Sequence, residues 1–153
     1  MVRSSSNIAL AVILALAASP LVTACTSNLF ASSTKVDAGL ACVDDSPRCL
    51  SRRRVALNQI MGDSSGKWIE RPPSASSDAS GVRLFAFKQR KRQLTCTQLA
   101  TGYVEASGAR NRLRASNDPR LTPALISRGA ILGDEVAKEL KREMKRRRCK
   151  AAA

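Results

Sequence analysis

A single apolar run near the N-terminus decides which compartment this chain enters and therefore which covalent links its fold can use. The run covers 8–18, eleven residues without a charge, between Arg3 and the interrupting pair Ser19-Pro20. As a helix it would extend about 16 Å, whereas a bilayer core needs about 20 residues. A charged start, a short apolar core and small residues after it are typical of a secretory signal peptide. We therefore expect this segment to be removed on export.

The residues after the apolar run lead to a cysteine. The sequence VTAC at 22–25 resembles the lipobox of bacterial lipoprotein precursors. This resemblance covers the first 25 residues only. It implies that Cys25 receives a diacylglyceryl group, that the chain is cut before it and that the new N-terminus is acylated. Thr26, in place of an aspartate, implies transport to the outer membrane, with the domain facing the periplasm or the cell surface. The alternative is an ordinary secretory signal, cleaved for instance after Ala18, which leaves Cys25 as a thiol.

This interpretation divides the chain into three parts. Residues 1–24 are the expected signal peptide, and 25–40 are the expected lipid anchor and flexible, disordered tether, because their small polar residues show no periodicity. Residues 41–150 are the expected folded domain. The chain that remains after cleavage is long enough for one domain rather than two.

The remaining cysteines indicate disulfides. Besides Cys25 the chain has Cys42, Cys49, Cys96 and Cys149, an even number that an oxidising compartment would pair into two bridges. Zinc is the competing interpretation, but the chain has no histidine and no Cys-x-x-Cys pair. We therefore predict two disulfides, with no metal and no cofactor.

Capping and periodicity predict a first helix over 47–61. Asp45 or Ser46 can cap it, Pro47 suits its first position, and Gly62 ends it. The arginines at 52–54 are expected to form a solvated face, with a binding role as the alternative.

The segment 74–92 is the most ambiguous part of the chain. Its residues 82–87 could alternate as a strand or place Val82, Phe85 and Ala86 on one face of a helix. Because no second strand-like run exists to pair with it, we predict a helix ending in the basic residues 88–92. Trp68, which precedes this segment, is expected to pack in the core rather than bind a ligand.

Two further helices are predicted. Thr95 and Gln98 fit a capping box that begins a short helix ending by Gly108, followed by a basic surface loop over 109–120. Thr122 and Pro123 begin the last helix, whose apolar residues recur at helical spacing to about residue 148. Its glycines at 129 and 133 mark either close approach of a neighbouring helix or weak points.

About four helices with modest connections predict an all-α, up-and-down bundle stapled by disulfides. This topology would bring the cysteine-bearing helix ends together. We favour bridges from Cys42 and Cys49 to Cys96 and Cys149, because the longer loops restrain the unfolded chain more. A Cys42–Cys49 bridge is the alternative.

The chain shows no recognisable catalytic pattern. It lacks histidine, a Gly-rich phosphate loop and a nucleophile elbow, so we expect it not to be an enzyme. Its 26 basic and 12 acidic residues give a formal charge of +14. In the cytosol such a charge would indicate nucleic acid, but in the envelope the available anions are lipid phosphates, cell-wall carboxylates or an acidic protein. We therefore expect neither nucleic acid nor a small-molecule substrate as partner.

The expected function is that of a non-catalytic outer-membrane lipoprotein. Its membrane partner is reached through Cys25, and its basic helical domain contacts an anionic envelope component. The alternative is a regulatory partner of an envelope enzyme or outer-membrane barrel. The basic residues could also serve only helix stability and solubility. The candidate anion-binding residues are Arg90, Lys91, Arg92, Arg146, Arg147 and Arg148.

Overall fold

The computed structural model describes residues 35–149, and in that range the chain forms seven helices and no strand. This confirms an all-helical domain but corrects the expected number of about four helices. The predicted signal peptide, Cys25 and residues 26–34 lie outside the described range, as do residues 150–153. The helices are α1 (35–40), α2 (Pro47–Gly62), α3 (Lys67–Glu70), α4 (Ala75–Ser80), α5 (Val82–Arg90), α6 (Cys96–Arg114) and α7 (Pro123–Arg146).

Residues 35–40 differ from the predicted tether because they form α1. Val36 and Leu40, four positions apart, are buried in the main core. Gly39 lies so close to α2 that a Cβ there would be 2.7 Å from the carbonyl oxygen of Arg52. Two apolar residues are too few to give a periodic signal in the sequence. Contact with α2 stabilises this short helix.

The predicted helix starts are confirmed, with Ser46 rather than Asp45 as the cap of α2 and with Thr95 and Thr122 as the caps of α6 and α7. Each hydroxyl accepts a hydrogen bond from a backbone N–H three residues later, at 3.2 to 3.3 Å. The side chain of Gln98 also accepts from the backbone N–H of Thr95, which completes the capping box. These contacts satisfy exposed N–H groups at each helix start.

The segment 74–92 is helical, as predicted, but it is divided. Gly81, with φ of 73°, separates α4 from α5 in a left-handed conformation that residues with a Cβ rarely adopt. Leu84 and Phe87 are fully buried, and the Phe87 ring lies 4.6 Å from the ring of Trp68. The predicted core role of Trp68 is therefore confirmed.

The helix that begins at Thr95 continues well past the predicted end at Gly108. Ala109 and Leu113 lie one turn apart beyond that glycine and are both fully buried. A single glycine costs about 1 kcal/mol in a helix, less than burial of a leucine contributes. The predicted loop over 109–120 is thus helical as far as Arg114.

Helices α6 and α7 form an antiparallel pair that is the centre of the domain. Gly133 lies against α6, where a Cβ would be 2.9 Å from the carbonyl oxygen of Ala106. Gly129 lies against Leu113 and the backbone of α4. The interpretation of both glycines as points of close approach is confirmed.

Helices α2, α5 and α7 run in the same direction, which corrects the up-and-down topology. At one end Asp45, just before α2, pairs with Arg128 near the start of α7 at 2.9 Å. At the other end Arg90, the last residue of α5, donates to the carbonyl of Ile60 near the end of α2. The segment between α2 and α4 carries the chain back along the domain. Consecutive long helices therefore do not simply alternate in direction.

The two predicted disulfides are present, but the favoured pairing was wrong. Cys42 bonds to Cys49 and Cys96 bonds to Cys149. The first bridge lies beside the start of α7, whereas the second joins the start of α6 to the chain just after α7. These are opposite ends of the α6–α7 pair, because α2 runs parallel to α7.

Candidate anion-binding surface

The basic ends of α5 and α7 lie side by side. Lys88 is 2.5 Å from Glu135 and 3.4 Å from Glu139, and Lys91 also pairs with Glu139. Arg147 donates to the carbonyl of Leu94, just after α5. Residues 88–92 and 138–148 together form what we call the basic surface, which contains eleven basic and two acidic residues.

Arg90, one of the predicted anion-binding residues, serves mainly to hold α2. Its Nη1 donates to the carbonyl oxygens of Ile60 at 2.9 Å and Asp63 at 2.6 Å. Unpaired carbonyls at a helix C-terminus carry partial negative charge, and the guanidinium neutralises it. Sequence reasoning could not assign this role, because it depends on the direction in which α2 runs.

The other predicted residues divide into two groups. Lys91, Arg146 and Arg147 are engaged, with Glu139, Glu143 and a backbone carbonyl respectively. Arg92 and Arg148 are exposed, and their side chains make no ion pair or hydrogen bond with any residue from 35 to 149. These two are the predicted residues most available to an external anion.

Four further cations of α7 were not among the predicted site residues. They are exposed and have no ion-pair partner within residues 35–149. Their spacing of three, one and three residues places them along the helix face opposite the core. That periodicity was a usable signal in the sequence. The four are Lys138, Lys141, Arg142 and Lys145.

Neighbouring cations lower the pKa of both carboxyl groups in the basic surface. A hydrogen bond from Lys91 is the main reason for the lowered pKa of Glu139, with Lys88 adding to it. The hydrogen bond from Arg146 is the main reason for the lowered pKa of Glu143, and the charges of Arg147 and Arg92 add to it. The two carboxylates do not neutralise the eleven cations of the basic surface.

The basic cluster at 110–114 lies on α6 rather than in a loop, and two of its arginines pair with carboxylates of other helices. Arg112 reaches Asp78 of α4 at 2.8 Å, and Arg110 pairs with Asp134 of α7. Asp78 is fully buried, and this burial raises the pKa of its carboxyl group despite the neighbouring arginines. Only Arg114 of the three arginines is exposed and without an ion pair among the described residues.

A buried ion pair joins α5 to α6 and was not predicted. Arg83 donates to Glu105 at 2.5 Å and to the carbonyl of Arg71 at 2.8 Å. Burial raises the pKa of Glu105, while the charge of Arg83 opposes that rise. A lone arginine in an apolar segment gives no sequence signal of its buried partner, which lies 22 residues away.

Three residues of types that can bind a metal lie together at the first disulfide. The ligand atoms of Cys42, Asp44 and Cys49 lie within 4.8 Å of one another. The two sulfurs are bonded to each other, however, and a cysteine must be a thiolate to bind a metal. In this oxidised state the group is a structural bridge.

No protein-family model, curated protein or solved structure matches the chain. Among the helices from 35 to 149, none combines the length and apolar character needed to cross a bilayer. The assignment of a function therefore depends on the basic surface and on the sequence of the N-terminus.

Proposed function

We propose that this chain is an exported, non-catalytic lipoprotein of the outer membrane, anchored through Cys25, whose basic surface contacts an anionic component of the envelope. The N-terminal segment supports the anchor through the VTAC sequence at 22–25. The component is one that presents phosphates or carboxylates, such as lipid head groups, cell wall or an acidic protein.

The two disulfides support export. Disulfides persist in oxidising compartments and are rare in the cytosol, where thiols are kept reduced. Cys96 and Cys149 join the ends of the two longest helices, so this bridge is part of the main structural unit. An oxidising destination is also what a signal peptide supplies.

The excess of cations on one surface carries the proposal. Within residues 88–92 and 138–148, eleven basic residues face two carboxylates. Arg92, Lys138, Lys141, Arg142, Lys145 and Arg148 have no ion pair within the described range. Like charges held close together repel one another, and an external polyanion would relieve that repulsion.

Charge neutralisation in the full-length protein tests this proposal, with Cys25→Ser in every sample so that no lipid anchor holds the chain to the membrane. Arg92, Lys141, Lys145 and Arg148 are each changed to Gln, which leaves Arg90 and the end of α2 intact. Each cation near an anionic surface contributes about 1 kcal/mol, so affinity for outer-membrane fractions or wall sacculi should fall at least about a hundredfold. The measurement is the salt concentration that releases half of the bound protein.

A control variant removes the same charge elsewhere. Arg48, Arg52, Lys67 and Arg114 are exposed and lie outside the basic surface. Both variants carry Cys25→Ser, so the anchor contributes to neither. Release of the two variants at the same salt concentration would reject the binding role of the basic surface. A single dominant protein adduct on crosslinking in cells would instead support a regulatory partner.

A further inference from the structure

A groove of about 370 Å³ lies between α2, α5 and α7, and none of the residues that line it belongs to the basic surface. Its apolar wall comes from Leu50 and Leu57 of α2, Phe85 of α5 and Leu132 of α7. Leu50 is 48% exposed and Phe85 39% exposed, so both present large apolar surfaces to solvent. Exposed apolar patches with polar rims are typical of binding sites.

Two arginines line the same groove. Arg54 is exposed and makes no ion pair or side-chain hydrogen bond with residues 35–149. Arg53 holds Asp45 with its Nη2, but its Nε is buried and has no hydrogen-bond partner among the described residues. None of the residues that line the groove is acidic. The groove therefore combines apolar walls with one exposed cation, Arg54, that no carboxylate within residues 35–149 pairs with, whereas Arg53 is paired with Asp45.

The size of the groove limits its occupant. Small-ligand sites occupy about 300–1,000 Å³, and the volume of this groove falls within that range. A flexible apolar chain that carries an anionic group matches both the volume and the charge. Arginine pairs well with phosphate, because its planar fork presents several N–H donors.

We infer that this groove takes one acyl chain of an anionic membrane phospholipid, with the lipid phosphate held at Arg54. The acyl chain lies against Leu50, Leu57, Phe85 and Leu132. This inference rests on the proposed function for the source of the lipid, since the anchor keeps the domain beside a membrane. It uses residues outside the basic surface, so the two proposals can fail separately.

Photocrosslinking tests the inference on the full-length protein. The protein is mixed with phosphatidylcholine vesicles that contain a trace of phosphatidylglycerol with a diazirine in one acyl chain. After illumination, mass spectrometry maps the labelled peptides. We expect label on α2 between residues 50 and 57 and on Phe85, and about tenfold less when the probe is phosphatidylcholine.

The variant Arg54→Gln removes the exposed cation without disturbing the core. It should lower groove labelling by phosphatidylglycerol about tenfold, whereas Arg48→Gln, on the same helix but outside the groove, should leave it unchanged. Phe85→Ser should reduce labelling by either lipid. Label confined to residues before 35 or to 138–148, or equal labelling of the Arg54 and Arg48 variants, would overturn the inference.

The basic-surface variant separates this result from the proposed function. Suppose that the basic-surface variant and the charge control are released at the same salt concentration while labelling of the groove persists. The proposed function then fails, and the inference about the groove is retained. If the groove is unlabelled while the basic-surface variant releases at lower salt, the groove inference alone fails.

Discussion

The guanidinium of Arg83 lies 2.5 Å from a carboxylate oxygen of Glu105, and the two side chains are only 2% and 3% exposed. The second carboxylate oxygen of Glu105 and the Nε of Arg83 are buried without hydrogen-bond partners among the described residues. Arg83 is the cation that acts most strongly on the Glu105 carboxylate, and Arg112 acts on it more weakly. This relationship joins α5 to α6 in the part of the domain where α3 also packs.

Removing one partner should be much more damaging than removing both. Arg83→Met leaves an isolated buried carboxylate, and we expect a loss of about 3–5 kcal/mol in the free energy of unfolding. The double variant Arg83→Met/Glu105→Leu should recover at least half of that loss. Urea denaturation of the three proteins measures both values, and equal losses in the single and double variants would contradict the prediction.

Glycine at position 133 should be required by the α6–α7 contact. An added Cβ would lie 2.9 Å from the backbone oxygen of Ala106 and from the Cβ of Ala109. We expect Gly133→Ala to destabilise the protein by about 1–3 kcal/mol, although alanine is the better helix former. Gly62→Ala is the control, since nothing lies within 4 Å of its added Cβ. Thermal unfolding should leave that control unchanged or slightly more stable.

The two disulfides should contribute unequally. The Cys96–Cys149 bridge spans 53 residues and the Cys42–Cys49 bridge spans 7. In the chain-entropy description these separations correspond to about 4 and about 2 kcal/mol. Paired Cys→Ala variants, compared by denaturation under non-reducing conditions, measure the difference. A larger loss from the shorter bridge would contradict this expectation.

Glu139 should make the domain sensitive to acid. Hydrogen bonds from Lys91 and Lys88 lower its pKa in the folded protein, so the folded state binds its proton less readily than the unfolded state does. The resulting stability is present above the ordinary pKa of glutamate and is lost as the pH falls through the lowered value. We expect Glu139→Gln to cost about 0.5–1 kcal/mol near neutral pH and to reduce the decline in acid. Unfolding free energies measured from pH 7 to pH 3 give this comparison.

The intact mass of the protein isolated from its native envelope tests the N-terminal prediction. The expected mass is that of residues 25–153 with three acyl chains on the N-terminal cysteine and four hydrogens lost to two disulfides. A retained N-terminal segment with five free thiols would contradict both the anchor and the compartment. Loss of residues 1–18 without added lipid would support the ordinary secretory signal.

Features that depend on near neighbours along the chain could be predicted from the amino-acid sequence. Ser46, Thr95 and Thr122 mark helix starts because each hydroxyl bonds a backbone N–H only three residues away. The absence of a second strand-like run was enough to predict helix for 82–87. An even number of cysteines after Cys25 was enough to predict two bridges, and helical periodicity identified α7 almost completely.

Which distant groups meet could be learned only from the folded chain. The path of residues 63–74 makes α2 parallel to α7, and this alone separates Cys49 from Cys96 and gives Arg90 to the end of α2. The burial of Leu113 extends α6 past Gly108, and the pairing of Arg83 with Glu105 depends on how α5 lies on α6. Such contacts join residues far apart in the chain, so their energies depend on topology, which local propensity and capping do not specify.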